Sequence, residues 1–336
     1  MNTKKMSSFL TQNAIYIVLI VLVIGIAISD PRFLSIDILR DILLQNSTRA
    51  IIALGMAFIL ITGGTDLSAG RVVGLTAVLS ASMLQIMDYP RRFFPDLPNL
   101  PLWAPIVIGI LAGLVVGLLN GWIVSRLSVP PFIATLGTMV IVYGANSIYF
   151  DMKPNESQPI AGLRPDFTKL GTGFIGSGGS YSIPYIVIIA IIVALIVWVV
   201  FNKTRLGKNM YAIGGNIQAA TVSGINVRRN LLKIYAFAGA LYGLGGVLEA
   251  ARTGGATNNY GNMYELDAIA ACVVGGVSTA GGIGTVPGVL VGVLIFGVIN
   301  YGLTFIGVSP YWQLIIKGLI IVAAVAFDIR KYLAKK

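Results

Sequence analysis

Long apolar runs separated by short polar connections dominate the pattern of hydrophobic and polar positions along the chain. Several runs reach about 18 residues or more, the length at which an α-helix can cross the hydrocarbon core of a bilayer. We predict ten membrane spans, with boundaries accurate to a few residues. They lie near residues 14–29, 49–62, 70–87, 102–124, 131–149, 183–201, 231–250, 266–283, 286–305 and 311–328. The pattern therefore predicts an all-α polytopic membrane protein.

Two short segments depart from this pattern near the second and third spans. The glycine-rich stretch GGTDLSAG, residues 63–70, separates two short apolar runs and is typical of a broken or re-entrant helix. The stretch SIDILRDILLQ, residues 35–45, places apolar residues at helical spacing with charged residues between them. We expect it to form an amphipathic helix at the membrane interface.

The composition agrees with a membrane protein and excludes several kinds of chemistry. Hydrophobic residues make up 56% of the 336 residues and charged residues only 11%, against about 25% charged in a soluble domain. The 40 glycines suit close helix packing in a membrane. The single cysteine, Cys272, excludes an internal disulfide and a cysteine-based metal cluster, and the absence of histidine excludes histidine-dependent catalysis. We expect no cofactor and no metal site.

The distribution of positive charge predicts the orientation of the spans. The net charge is +11, and Lys and Arg accumulate in the cytoplasmic loops of membrane proteins. With the amino terminus inside, the cytoplasmic segments carry Lys4, Lys5, Arg71, Arg126, Lys203, Arg205, Lys208, Arg228, Arg229, Lys233, Arg330, Lys331, Lys335 and Lys336. Both termini are therefore predicted to be cytoplasmic. The charge is explained by topology and does not indicate a nucleic-acid partner.

The chain contains an internal repeat. Asp66–Gly74 reads DLSAGRVVG and Asp267–Gly275 reads DAIAACVVG, and GLLN followed by a proline recurs later as GVIN followed by a proline. The repeats fall near 14–150 and 183–328. Because each would contain five spans, an odd number, the halves must be inverted relative to each other, an architecture typical of alternating-access transporters.

A transporter needs an energy source, and the chain lacks the usual ones. No G-x-x-x-x-G-K-[ST] sequence is present, and LGKN at Leu206–Asn209 lacks the hydroxyl residue that a P-loop requires. No row of membrane-embedded carboxylates indicates a proton-driven carrier. Energy is therefore expected to come from a partner that contacts the largest cytoplasmic loop, residues 202–230.

That loop contains a short pattern of small residues. Gln218, Ala219 and Ala220 are followed after three residues by Gly224 and after nine more by Ile234. Small side chains permit close approach of another backbone, and a glycine in the left-handed conformation can end a short helix. Spacing alone leaves open an ordinary loop with one helical turn.

This spacing resembles the EAA loop of ABC-importer permeases, whose short helix docks on the ATPase subunit. Gln218 stands where glutamate is usual, and Ala236–Phe237 replaces the closing Leu-Pro. TGGTDLSAGRVVGL, PFIATLGTM, NKTRLGKNMYAIGGN, AATVSGINV and YELDAIAACVVGG resemble the ribose/galactose permease branch of bacterial ABC sugar importers. The resemblance implies a multi-pass inner-membrane permease with two ATPase subunits, a periplasmic sugar-binding protein and a second permease copy as partners. The implied ATPase-coupling residues are Arg205, Gly207, Gln218, Ala219, Ala220 and Gly224.

A neutral sugar needs hydrogen-bond partners along its path, and a few polar residues inside spans supply candidates. They are Asp66, Asn120, Asn146, Asp267 and Asn300. The asparagines could instead satisfy neighbouring helices, and the two aspartates could cap helices at broken spans.

The sequence therefore predicts a single transmembrane permease domain that imports a monosaccharide, galactose or methyl galactoside according to the resemblance, and performs no hydrolysis itself. Two alternatives remain open. One is an ABC permease for another sugar or a branched amino acid, and the other is a self-sufficient secondary carrier or channel for a small polar solute.

Overall fold

The computed structural model describes residues 14–176 and 182–333, which form an almost entirely helical bundle. The basic residues Lys4, Lys5, Lys335 and Lys336, on which the predicted orientation partly depends, lie outside this range. The helices are α1 (Ala14–Ser29), α2 (Ile36–Ile61), α3 (Ala69–Met83), α4 (Trp103–Arg126), α5 (Pro131–Asp151), α6 (Pro165–Thr172), α7 (Tyr185–Lys203), α8 (Arg205–Gly215), α9 (Ile217–Val222), α10 (Val227–Thr253), α11 (Tyr264–Val274), α12 (Val286–Phe305) and α13 (Pro310–Leu333). A 3-10 turn (Pro31–Leu34) precedes α2, and the short strands β1 (Phe174–Ile175) and β2 (Ile183–Pro184) pair antiparallel.

A helix overlaps each of the ten predicted spans, so the all-α polytopic prediction is confirmed. Six helices in the described residues are long and apolar enough to cross a membrane: α2, α4, α5, α7, α10 and α12. Helix α3 and residues Pro310–Ala326 of α13 are shorter apolar helices. The exact count of ten crossings stays a prediction.

Two boundaries differ from the prediction. Residues 35–45 do not form a separate amphipathic helix, because α2 runs without interruption from Ile36 to Ile61. The predicted span 266–283 is helical only from Tyr264 to Val274, since Gly275 and Gly276 follow and glycine favours the end of a helix. With 11 residues, α11 is about 16 Å long, roughly half the hydrocarbon thickness. The break at the glycine-rich stretch is confirmed, because α2 ends at Ile61 and α3 begins at Ala69.

Helix α10 lies at the centre of the bundle and packs against α2, α3, α4 and α6. Its contact with α4 is made at glycines. A Cβ atom at Gly113 would overlap the carbonyl oxygen of Gly239, and one at Gly117 would overlap that of Tyr235. Backbones that approach this closely gain van der Waals contact, which is the main attraction between helices in lipid. The α4–α10 pair is therefore rigidly interlocked.

The connections lie at two opposite ends of the bundle. At one end, which we call the α6 end, the residue after α3 meets the segment before α6: the backbone N–H of Arg164 donates to the carbonyl of Leu84 at 2.9 Å. At the other, the α8 end, the backbone N–H of Gly282 donates to the carbonyl of Ile61 at 2.8 Å. The breaks that follow α2 and α11 therefore meet beside α8.

The connection between α10 and α11, residues 254–263, is non-helical and runs along α3. A Cβ atom at Gly74 would overlap the carbonyl oxygen of Tyr260, and one at Gly70 would overlap that of Gly261. Irregular backbone is tolerated at membrane depth where protein covers it or where it lines a cavity. This segment and the short α11 together replace one long helix.

Candidate functional site

The coupling segment, residues 202–230, contains α8, α9 and the first turn of α10. Each of these helices begins at a polar capping side chain. The hydroxyl of Thr204 accepts from the N–H of Gly207 before α8, and the amide oxygen of Asn226 accepts from the N–H of Arg229 before α10. The amide oxygen of Asn216 accepts from the N–H groups of Gln218 and Ala219, both at 2.9 Å, before α9. Such caps satisfy backbone donors that have no partner inside the helix.

Helix α9 ends at Val222, and Gly224 terminates it in the left-handed conformation that the sequence predicts. Gly224 has φ +82, in the left-handed region, and its N–H donates to the carbonyl of Thr221 at 3.0 Å. The next N–H, of Ile225, returns to the carbonyl of Ala220 at 3.0 Å. Helix α9 is therefore a defined, capped element rather than a stray turn.

One side of α9 packs against the rest of the protein, and the other side is exposed. Ala220 is buried, whereas Gln218 and Ala219 are exposed. The apolar side chains of Ile217 and Val222 are 50% and 90% exposed. On α8, Arg205 is exposed and Gly207 is buried, where a Cβ atom would overlap the carbonyl oxygen of Phe201. The predicted coupling residues thus divide into an exposed set and a set that fixes the segment to the bundle.

Helix α8 contacts both helix breaks at its end of the bundle. A Cβ atom at Gly214 would overlap the carbonyl oxygen of Ile61, the last residue of α2. The hydroxyl of Tyr211 donates to the carbonyl of Gly284, just before α12, at 2.8 Å. A displacement of α9 would therefore reach the connections after α2 and after α11 through a single short helix.

Asp66 and Asn120 are brought together through Ser68. The carboxylate of Asp66 accepts from the hydroxyl and the backbone N–H of Ser68, at 2.6 and 2.9 Å. The amide nitrogen of Asn120 in α4 donates to the same hydroxyl at 2.8 Å. All three residues are buried. Asn120 therefore links α4 to the α2–α3 break.

Asn146 lies apart from this cluster and faces the irregular segment 254–263. Its amide nitrogen donates to the carbonyl of Asn258 at 3.4 Å, and Asn258 donates in turn to the hydroxyl of Ser147 at 3.2 Å. Nearby, Arg71 donates to the side chain of Asn262 at 2.7 Å and lies over the ring of Tyr143. These contacts bind the segment to α3 and α5.

Asp267 lies in the first turn of α11 and pairs with two cations from other helices. Lys317 of α13 approaches its carboxylate to 3.0 Å and Arg49 of α2 to 3.5 Å. Asp267 therefore does not act as a helix cap. Arg49 also lies over the ring of Tyr264, whose hydroxyl donates to Glu249 at 2.9 Å.

Asn300 of α12 lines a cavity of about 380 Å³ between α2, α12 and α13. Its amide nitrogen and oxygen are both shielded from solvent and have no hydrogen-bond partner among the described residues. Arg49 and Lys317 line the same cavity. Asp267 and Asn300 therefore do not touch, but they share these two cationic neighbours.

The sequence-based site is thus only partly assembled. Asp66 joins Asn120, Asp267 lies close to Asn300, and Asn146 stands by itself. Sequence reasoning missed Arg49, because it placed this residue at the boundary of a span. An ionisable residue inside an apolar helix is a functional-site candidate in itself, and the continuous α2 places Arg49 in that position.

The chain matches known transport proteins along its whole length. The family model described as branched-chain amino acid transport system / permease component matches residues 38–325. The galactose/methyl galactoside import permease protein MglC of Haemophilus influenzae is 56% identical over 99% of this chain and 98% of its own length. The protein of the same name from Escherichia coli is 55% identical over 100% of this chain and 99% of its own length. The ribose import permease protein RbsC of Bacillus subtilis is 39% identical over 93% of this chain and 91% of its own length.

No solved structure matches the chain. The family assignment therefore depends on the sequence comparisons and agrees with the multi-pass helical architecture. With a match that covers most of its length, the chain belongs to the family of transport-system permease components described as branched-chain amino acid transport system / permease component.

Proposed function

We propose that this chain is the membrane-spanning permease subunit of an ATP-driven, binding-protein-dependent importer of galactose or methyl galactoside. The observation that carries the proposal is 55–56% identity, over essentially the full length, to proteins named galactose/methyl galactoside import permease. Ribose permeases are less similar, at 36–39% identity. Another protein named galactose/methyl galactoside import permease is 37% identical, so the preference for the galactoside over ribose rests on the relatives that are 55–56% identical.

Energy would come from an ATPase subunit that docks on α9. Helix α9 is capped at both ends. It exposes the apolar side chains of Ile217 and Val222 as well as Gln218 and Ala219. Exposed apolar residues that lie together mark an interaction site. Because α8 contacts Ile61 and Gly284, closure of the ATPase subunits would displace both helix breaks at once.

The orientation follows from the charges at the α8 end. Arg205, Lys208, Arg228 and Arg229 are exposed there, and the positive-inside rule places them in the cytoplasm. The α6 end would then face the periplasm and receive the sugar-binding protein, and both termini would be cytoplasmic.

Two inverted five-helix halves would supply alternating access. This is supported by the repeated sequence, by the α2 and α10 helices that pack against each other at the centre, and by a break after each of them. A second copy of the permease would complete the pathway. Helix α13 offers an apolar surface for it, with Tyr311, Leu319 and Val322 more than 60% exposed.

The proposed pathway uses the polar residues predicted from sequence: Asp66, Asn120, Asn146, Asp267 and Asn300. Asn120 also bridges α4 to Ser68, so its contribution includes holding the α2–α3 break in place. A neutral sugar needs few strong contacts in the permease, because the binding protein captures it and delivers it.

Reconstitution tests the proposal. Permease, ATPase subunits and binding protein in liposomes should take up labelled galactose only with ATP inside, and ribose should be a poor substrate. Uptake by the permease alone, driven by an ion gradient, would instead show a secondary carrier. Uptake of ribose or a branched amino acid in preference to galactose would transfer the assignment to another cargo.

A further inference from the structure

We propose that the cavity around Asn300 is a subsite that binds the sugar ring in the periplasmic half of the pathway. We call it the Asn300 cavity and define it by Gln45, Arg49, Asn300, Tyr301, Gln313 and Lys317. The proposal rests on the importer function given above and adds where in the chain the hexose is bound. Three observations carry it: the unpartnered amide, the chemistry of the walls and the depth of the cavity.

The amide of Asn300 is the first observation. Both of its polar atoms are shielded from solvent and lack a hydrogen-bond partner among the described residues. A buried amide without partners costs about 1–3 kcal/mol, and buried polar groups are normally hydrogen-bonded. Asn300 is among the residues that line a cavity of about 380 Å³, and a rotation of its amide toward this space would let a hydroxylated ligand supply the donor and the acceptor that it lacks.

The walls fit a sugar better than an ion or an apolar molecule. The lining combines the amide side chains of Gln45 and Gln313 and the donors of Arg49 and Lys317 with the rings of Tyr301 and Phe305. A small-molecule site typically combines apolar or aromatic walls with a few convergent polar groups in about 300–1,000 Å³. A hexose presents hydroxyls around its edge and C–H groups on its faces, which matches this arrangement.

The two cations on the cavity wall are held by one carboxylate. Arg49 and Lys317 are both paired with Asp267, at 3.5 and 3.0 Å, so one net positive charge remains on this wall. N–H donors that Asp267 does not occupy are available to sugar hydroxyls. The ion pairs also fix α2, α11 and α13 around the cavity.

The position of the cavity along the helix axes places it in the half of the bundle that the sugar would enter first. Helix α12 begins beside Gly284 at the α8 end and runs 20 residues toward the α6 end. Asn300 lies five residues before its end at Phe305, about 8 Å along the axis. Gln313 lies three residues after α13 begins. The cavity is therefore close to the end that would receive sugar from the binding protein.

Cysteine labelling tests contact with the sugar. In a Cys272→Ala background, which removes the single native thiol, Asn300→Cys is assembled with ATPase subunits and binding protein in liposomes. We expect a small methanethiosulfonate reagent to modify it, and D-galactose to slow that reaction at least fivefold. Leu127→Cys, exposed in the connection between α4 and α5, is the control, whose labelling galactose should leave unchanged. No labelling of Asn300→Cys, or labelling that galactose does not slow, would overturn the subsite.

Transport variants test its role. Asn300→Leu keeps the side-chain volume but removes both polar atoms, and we expect galactose uptake to fall about tenfold, as for the loss of one well-placed hydrogen bond. Asn300→Gln should recover part of the rate, and Val140→Leu, at an exposed apolar position of α5, should transport normally. Wild-type rates in Asn300→Leu would refute the proposal. Absence of uptake by the wild-type complex would instead refute the importer function, so the two failures are distinguishable.

Discussion

Asn120 in α4 and Asn300 in α12 stand at matching places in the repeated sequence, but their surroundings are opposite. Asn120 is fully buried and donates to Ser68 at 2.8 Å, next to the interlocked glycines of α4 and α10. Asn300 bonds to no described residue and lines an open cavity. A repeated residue therefore bridges two segments in one half and has an amide without a described partner in the other.

Asp66 and Asp267, which also stand at matching places in the repeat, differ in their bonding partners. Asp66 is bonded to a neutral neighbour two residues away, Ser68. Asp267 is bonded to Lys317 and Arg49, which come from two other helices. The amino-terminal site is closed by local contacts, whereas the carboxyl-terminal site depends on long-range charges around a space. The aspartate of the first half is therefore tied to its immediate neighbours, whereas that of the second half holds two helices beside a cavity.

The largest effect is expected from removing one carboxylate charge. Asp267→Asn leaves Arg49 and Lys317 without a counter-ion, and because the three side chains are partly exposed, the loss should be about 2 kcal/mol, below that for a fully buried pair. Asp66→Asn keeps an oxygen that can accept from Ser68 and should cost about 1 kcal/mol. The thermal midpoint of each purified variant measures the difference.

A double variant tests whether the ion pair is the cause. Lys317→Gln combined with Asp267→Asn should be less destabilised than the sum of the single variants, since contacting residues couple by about 0.5–3 kcal/mol. Additive losses would show that the pair does not support the second half.

Gly117 and Gly297, at matching places in the repeat, test whether the tight helix contact of the first half stabilises the protein more than the contact in the second half. Gly117→Ala would place a methyl group against the backbone carbonyl of Tyr235, which cannot move aside. Overpacking of this kind costs about 1–3 kcal/mol, or roughly 2–10 °C of melting temperature. At the matching position, Gly297→Ala meets only the amide of Asn46, the end of a side chain, and should lower the melting temperature less. Reaction of the buried thiol of Cys272 with a fluorescent maleimide on heating reports unfolding, and equal losses would contradict the comparison.

The coupling segment should affect transport more than stability, because it touches both halves. Gly224→Leu places a side chain at φ +82, a conformation that costs an L-residue about 1–2 kcal/mol. We expect it to distort the end of α9 and uncouple ATP hydrolysis from uptake while membrane insertion stays normal. Gly215→Leu is the control, since it is equally exposed and open but does not have positive φ. Normal uptake and normal ATPase binding in Gly224→Leu would refute the coupling role.

The smallest effect concerns a contact at the α6 end that belongs to the connection after the first half. Hydrogen bonds from the Arg164 guanidinium lower the pKa of Asp166 below its ordinary value. A lowered folded-state pKa stabilises the protein above the unfolded value of about 3.9, and this contribution is lost as the pH falls through the folded pKa. Because Asp166 is nearly half exposed, the effect is small. The melting temperatures of wild type and Asp166→Asn should differ slightly near pH 6 and converge as the pH falls toward about 3; a constant difference would exclude the charge as the cause.

Local sequence signals predicted the helices well. Apolar run length located a helix at each of the ten spans, and the small residues around Gly224 predicted a short helix that ends in a left-handed glycine. The continuity of α2 and the short length of α11 were missed. In both cases packing against other segments overrides the local sequence pattern. Helix α2 packs along α10, and the non-helical segment 254–263, which precedes the short α11, packs along α3.

The sequence by itself determined that this protein is a helical membrane permease with a short glycine-terminated helix in its largest basic loop and a repeated polar pattern. Those properties depend on apolar length, helix caps and glycine conformation, which act over a few residues. Only the tertiary structure decided which of the two repeated asparagines, Asn120 and Asn300, has a hydrogen-bond partner. That outcome depends on the neighbouring helices: the α10 backbone interlocks with α4 beside Asn120, whereas α13 packs only loosely against α12 and leaves a cavity at Asn300.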